Sequence, residues 1–156
     1  MLVTLYVQLA ILNRGPESRM EGVIMRRRVL VIDDDPDVCA LISAMLEPKS
    51  YEVHGAEGGE IGVVLANAEL PDIILLDLQM PGIGGYQVCR LLHEGERTSR
   101  IPIIMLTASD DPALNRTAYA AGAHACVPKP FRREALIAVI EAALPRPTSE
   151  NPALGT

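Results

Sequence analysis

Val29-Leu30-Val31-Ile32 and Ile73-Ile74-Leu75-Leu76 are unbroken apolar runs, and an aspartate follows each directly. A strand with one wet face alternates apolar and polar residues, so an unbroken run implies a strand covered on both faces. Buried strands of this kind belong to parallel sheets, whose crossovers are helices. A carboxylate placed at the end of such a strand is costly unless something uses it.

The rest of the chain supplies the crossovers. The first strand leads into Asp33-Asp34-Asp35, with Asp35 suited to an N-cap and Pro36 to the first helical position. Val38, Leu41, Ile42 and Met45 recur at helical spacing, and Pro48 closes that helix. A weaker strand over 51–54 and a helix over 60–68 follow, with Ile61, Val64, Leu65 and Ala68 on one face. The third strand covers 72–76. Its helix covers 86–93, with Val88, Leu91 and Leu92 inward. A fourth strand over 101–106 ends in Thr107-Ala108-Ser109, and its helix over 113–121 stops at Gly122, a left-handed C-cap position. A short strand over 125–127 and a helix over 134–144, with Leu136, Val139, Ile140 and Ala143 inward, complete the pattern. Five strand–helix alternations without a hairpin signal predict an α/β fold, a doubly wound five-stranded parallel sheet with helices on both faces. The flavodoxin-like order 2-1-3-4-5 is one of its two common forms.

In a parallel sheet all strands end at one edge. There the sequence places Asp33 and Asp34, Asp77, Thr107 and Lys129. In the order 2-1-3-4-5 the first and third strands are neighbours at the topological switch point, where such folds bind ligands. Three carboxylates gathered there raise one another's pKa unless a cation joins them. A hard divalent ion with oxygen ligands, Mg²⁺, is the natural partner. The Lys129 ammonium and the Thr107 hydroxyl complete a pocket for a tetrahedral anion on Asp77, which is equipment for phosphoryl transfer.

VLVIDDDPD, IILLDLQMPG, PIIMLTAS and AAGAHACVPKPF, in that order and spacing, resemble the receiver domain of two-component response regulators over residues 28–144. The resemblance implies a CheY-like flavodoxin fold of order 2-1-3-4-5. It implies Asp77 as phosphoacceptor, Mg²⁺ held by Asp33, Asp34, Asp77 and the Gln79 main-chain carbonyl, and Thr107 and Lys129 facing the phosphoryl group. It also implies a cis bond between Lys129 and Pro130, an isomer found essentially only before proline. The implied partner is a histidine kinase or histidine phosphotransfer protein, with a downstream protein reached by contact or phosphorelay. Such a domain is a signalling module and no enzyme beyond its own phosphorylation and dephosphorylation. Pairing of two copies through the last two helices and fifth strand is an arrangement that receivers often adopt.

Three positions depart from that pattern. Cys126 stands where receivers usually carry Tyr or Phe, Gly84 replaces the usual Asp of the loop after Met80-Pro81-Gly82, and Pro128 stiffens the segment before Lys129. The site reads as intact while its readout does not follow the usual form. Two other readings stay open. One is a receiver-like docking module that phosphorylation does not switch, favoured by Cys126. The other is a phosphatase of the haloacid dehalogenase type, disfavoured because Gln79 stands where its second aspartate is needed. A flavin site is weaker still, since three acids follow the first strand where a phosphate-cradling loop belongs.

The net charge of −6 argues against direct nucleic-acid binding. Cys39, Cys89 and Cys126 are widely spaced and outside any metal-ligand spacing, as expected of thiols in a reducing cytoplasm. Residues 1–27 are expected to extend outside the core. The apolar stretch MLVTLYVQLAILNR is too short to span a bilayer and lacks a signal peptide's basic start. Three readings of it stay open: an upstream extension with Met20 or Met25 as the natural start, an appended element packing on a partner, or a weak membrane anchor. Residues 145–156, rich in proline and polar groups, are expected to be a disordered tail, which makes the expected protein a stand-alone receiver.

Overall fold

The computed structural model describes residues 26–47 and 51–145. The expectations for residues 1–25, for Pro48 as a helix stop and for the tail beyond Pro145 lie outside them. Five parallel strands, β1 (Arg27–Ile32), β2 (Tyr51–Ala56), β3 (Ile73–Asp77), β4 (Ile103–Thr107) and β5 (Ala125–Pro128), form one sheet in the order β2-β1-β3-β4-β5. Five helices alternate with them: α1 (Pro36–Leu46), α2 (Gly59–Glu69), α3 (Gly85–Glu94), α4 (Pro112–Ala120) and α5 (Arg133–Ala143). The fold is the flavodoxin-like one expected.

Alternate residues of the strands feed two cores. Leu30, Ile32, Ile74, Leu76 and Met105 pack against α2, α3 and α4 through Leu65, Ala66, Val88, Leu92 and Ala118. Val29, Val31, Ile73, Leu75 and Ile104 pack against α1 and α5 through Ile42, Leu46, Leu136 and Ile140. β3 and β4 are buried along their whole length, which is why their sequences show no alternation.

Local chemistry sets the helix ends. Asp35 caps α1 by accepting from the Asp37 amide at 2.9 Å, with Pro36 beginning the helix. Gly84 stands at the N-cap of α3, and Gly122 follows α4 with φ +106°. Across the sheet's other edge the Arg27 guanidinium donates to the Pro145 carbonyl at 3.1 Å, drawing together the two ends of the described chain.

Three helix faces differ from the expectation. Leu41, Ile61, Val64 and Leu91 are exposed, while Gly62, Ala66 and Cys89 face the core. α2 shows the cause. A Cβ at Gly62 would lie 2.6 Å from Ile32, so the glycine lets this helix approach the sheet more closely than a larger residue would. That approach turns Ile61 and Val64 outward. Counting apolar residues in a helix cannot anticipate this.

Candidate functional site

The acids meet at the carboxyl ends of β1 and β3. Asp33 follows β1 and is almost wholly buried. Asp77 closes β3 and is buried as well, whereas Asp34 is exposed. One carboxylate oxygen from each of Asp33, Asp34 and Asp77 lies within 4.8 Å of the others. The two strands are hydrogen-bonded neighbours, with Ile32 opposite Leu76, and that pairing sets Asp33 beside Asp77. Main-chain bonds brace Asp33: its own amide donates to the Ala56 carbonyl at 3.1 Å, and the Asp35 amide donates to its Oδ1 at 2.9 Å.

Lys129 arrives from beyond β5. Its Nζ donates to Asp77 Oδ1 at 2.9 Å and to Asp33 Oδ2 at 3.3 Å. Its amide donates to the Thr107 carbonyl at 2.6 Å, which ties the lysine to the end of β4, and the Lys129–Pro130 peptide is cis. Burial alone would lower the ammonium's pKa, but the hydrogen bond and charge of Asp77, with help from Asp33, raise it above the ordinary value. Burial pushes the Asp33 carboxyl upward. The Asp77 charge adds to that rise, while the Asp35 amide and Lys129 pull against it. The donor set is all oxygen, gathered and short of positive charge, which fits a hard divalent cation.

The remaining expected residues stand nearby in different roles. Thr107 is buried at the end of β4, and its hydroxyl donates to the Ser109 carbonyl at 2.6 Å, holding the loop that leads to α4. Gln79 is exposed, two residues past Asp77. The loop containing it returns tightly, since a Cβ at Gly85 would lie 2.5 Å from the Asp77 carbonyl oxygen.

Two features escaped the sequence reading. Val38, Leu41, Ala108, Lys129, Pro130 and Phe131 line a largely apolar groove of about 370 Å³ that has the site lysine in its wall. Leu41, which recurs at helical spacing with Ile42 and Met45, is 51 % exposed and lines this groove. The second feature is an aromatic pair around Cys126. The Tyr119 side chain favours the ionised form of the Cys126 thiol against the effect of burial, and the Tyr86 hydroxyl donates to the Leu114 carbonyl of α4 at 3.1 Å. No single motif holds these groups, so no sequence signal marks them. Burial drives the pKa of all three cysteines up, those of Cys39 and Cys89 to about 11, so the thiols are protonated and weakly nucleophilic near neutrality.

Known proteins share this architecture. PilH of Pseudomonas aeruginosa is 38 % identical over 117 residues, covering 75 % of this chain and 97 % of PilH. RpaA of Synechocystis, a DNA-binding dual master transcriptional regulator, is 40 % identical over 119 residues, which cover 76 % of this chain and 49 % of RpaA. The chain thus spans about half the length of that relative. The chemotaxis protein CheY4 of Vibrio cholerae superposes with a TM-score of 0.73 at 28 % identity, covering 77 % of this chain and 100 % of CheY4. The receiver domain of the sensor histidine kinase PA1611 of Pseudomonas aeruginosa, solved with a magnesium ion coordinated in its active-site cleft, superposes with a TM-score of 0.70 at 30 % identity, covering 76 % of this chain and 97 % of that domain. The family model of the response regulator receiver domain matches residues 29–141, from within β1 into α5 and across every acid of the site. With sheet order, strand-end carboxylates and sequence in agreement, the chain belongs to the response regulator receiver domain family.

Proposed function

We propose that Asp77 accepts a phosphoryl group from a phosphohistidine on a histidine kinase or histidine phosphotransfer protein. A carboxylate oxygen of Asp77 attacks phosphorus, the P–N bond breaks, and the departing imidazole nitrogen keeps the electron pair and takes a proton from solvent. The product is an acyl phosphate on Asp77. The observation that carries this reading is the Lys129 ammonium 2.9 Å from Asp77 and 3.3 Å from Asp33, beside three gathered carboxylates. Lys129 is set to pair with phosphoryl oxygens while it is held by the carboxylates. Asp33, Asp34, Asp77 and the Gln79 carbonyl are the proposed ligands of Mg²⁺, which when bound neutralises phosphoryl charge. Thr107 would give up its bond to Ser109 in order to reach the new phosphoryl oxygens.

The groove beside Lys129 supports a partner that presents its histidine on an apolar helix, with Leu41 and Phe131 offering the apolar contact. The protein would then signal by contact or relay. Cys126, a small thiol where receivers usually carry an aromatic ring, favours the second reading, a docking module that phosphorylation leaves unswitched. Incubation of the full chain with a radiolabelled phosphorylated histidine kinase and Mg²⁺ separates the two. Label is expected on the wild type and absent from Asp77→Asn, and an unlabelled wild type with every kinase tried would leave the docking reading.

A further inference from the structure

The first turn of α2 is mortised into the loop between β3 and α3. The Ile83 amide donates to Glu60 Oε1 at 3.3 Å. Gly82, at φ +78°, lies so close that a Cβ there would sit 2.8 Å from the same oxygen. Gly59 presses on the loop from beside Glu60, since a Cβ on it would lie 2.6 Å from Ile83 Cγ1 and 2.8 Å from the Ile83 carbonyl oxygen. At its other end the loop is anchored to the phosphoacceptor strand, where the Gly85 amide donates to the Leu78 carbonyl at 3.1 Å. Gln79 lies between these two anchors. α2 has no side-chain cap at Gly58, so Glu60 serves that helix at most as a favourable first-turn acid. Its carboxylate is turned instead toward the main chain of another element.

We propose that Glu60 is a positioning residue for the acid edge: its carboxylate fixes the β3–α3 loop and with it the main-chain carbonyl of Gln79. The inference rests on the reading of Asp33, Asp34, Asp77 and Gln79 as a Mg²⁺ site. A free loop would sample other orientations of that carbonyl, and each orientation facing away from the carboxylates costs affinity by its population. A direct effect of charge is the rival explanation, because one more carboxylate near the edge also attracts a cation. Glutamine separates the two, since its amide oxygen still accepts from Ile83 while its charge is gone.

The test uses the full chain as wild type, Glu60→Ala and Glu60→Gln. Amide hydrogen exchange at Ile83 is measured without metal, and Mg²⁺ affinity by calorimetric titration. Glu60→Ala should speed Ile83 exchange and weaken Mg²⁺ binding, each by about three- to tenfold, as expected for losing a charge-assisted bond at an exposed site. Glu60→Gln should restore most of both. Unchanged Ile83 exchange in Glu60→Ala overturns the clamp whatever the metal does. Mg²⁺ affinity in Glu60→Gln as weak as in Glu60→Ala overturns it in favour of charge attraction. A wild type that takes no Mg²⁺ refutes the reading of the metal site itself, and the exchange measurement then decides the clamp alone.

Discussion

Asp33 is a charged residue buried at a cost: it is 1 % exposed, stands beside Asp77, and shares Lys129 with it. Two buried carboxylates against one ammonium leave charge uncompensated, a condition that lowers stability while it readies the edge for a cation. Asn in its place keeps the Oδ1 that accepts from the Asp35 amide and removes the charge. Asp33→Asn should therefore raise the melting temperature in EDTA by about 3–6 °C, or on the order of 1 kcal/mol for a domain of this size. It should also abolish the rise that Mg²⁺ gives the wild type. Thermal scans with and without Mg²⁺ check both, and a variant no more stable in EDTA would show that the buried charge is already compensated. Asp33, Asp34, Asp77, Thr107 and Lys129 could be assembled from sequence because each lies at a strand end, and parallel strands share an edge. Partner choice could not be read in that way. The Thr107 hydroxyl spends itself on Ser109, and Glu60 meets Ile83 across 23 residues of chain, both consequences of packing alone.

Between β2 and α2, His54 links an edge strand to the helix behind it. Its Nδ1 lies 2.8 Å from Glu69 Oε2 and its Nε2 2.9 Å from Glu52 Oε1. Ionised carboxylates only accept, so satisfying both needs two N–H groups and therefore the imidazolium. The bond to Glu69 is the chief cause of a raised pKa; burial opposes it, and the charges of Glu69 and Glu52 add to it. Arg28 on β1 stands opposite Glu52 in the register. A folded pKa above the unfolded one means the link contributes fully below about pH 6.5 and is lost as pH rises through the folded value. With the side chain 43 % exposed, its worth is about 0.5 kcal/mol. Wild-type stability in urea should fall from pH 6 to pH 9 by about that amount more than that of His54→Gln, and parallel profiles for the two would refute the link. Strand ends and caps of this kind were readable to within two residues because Asp, Pro and Gly act locally. The helix faces were less readable: the packing of Gly62 against Ile32 decides which way Ile61 and Val64 point, and no spacing rule contains that distance.

For the whole molecule the question is how far an event at Asp77 travels. Thr107 holds the Ser109 carbonyl, the Asp111 amide donates to the Ser109 hydroxyl at 3.1 Å, and Asp111 caps α4 by accepting from Ala113 at 2.8 Å. Releasing Thr107 should loosen this chain of bonds as far as the start of α4. Beyond it, Cys126 offers a small thiol where a ring would have had area enough to shift a two-state equilibrium, and the Tyr86 bond to Leu114 restrains the helix. Beryllofluoride should therefore move the amide resonances of Gln79 and residues 107–113 strongly and those of Tyr119, Ala120 and 125–127 weakly. A large coherent shift across the latter would mean that Tyr119 or Tyr86 has assumed the work of the missing ring. The contact of Arg27 with Pro145 bears on a different matter, where the two ends of the described chain leave the fold. Entry and exit lie side by side at the edge remote from the acids, as on a plug whose leads leave from the back. The domain can be spliced into a host loop or joined head to tail with a short linker while its chemistry stays at the far face.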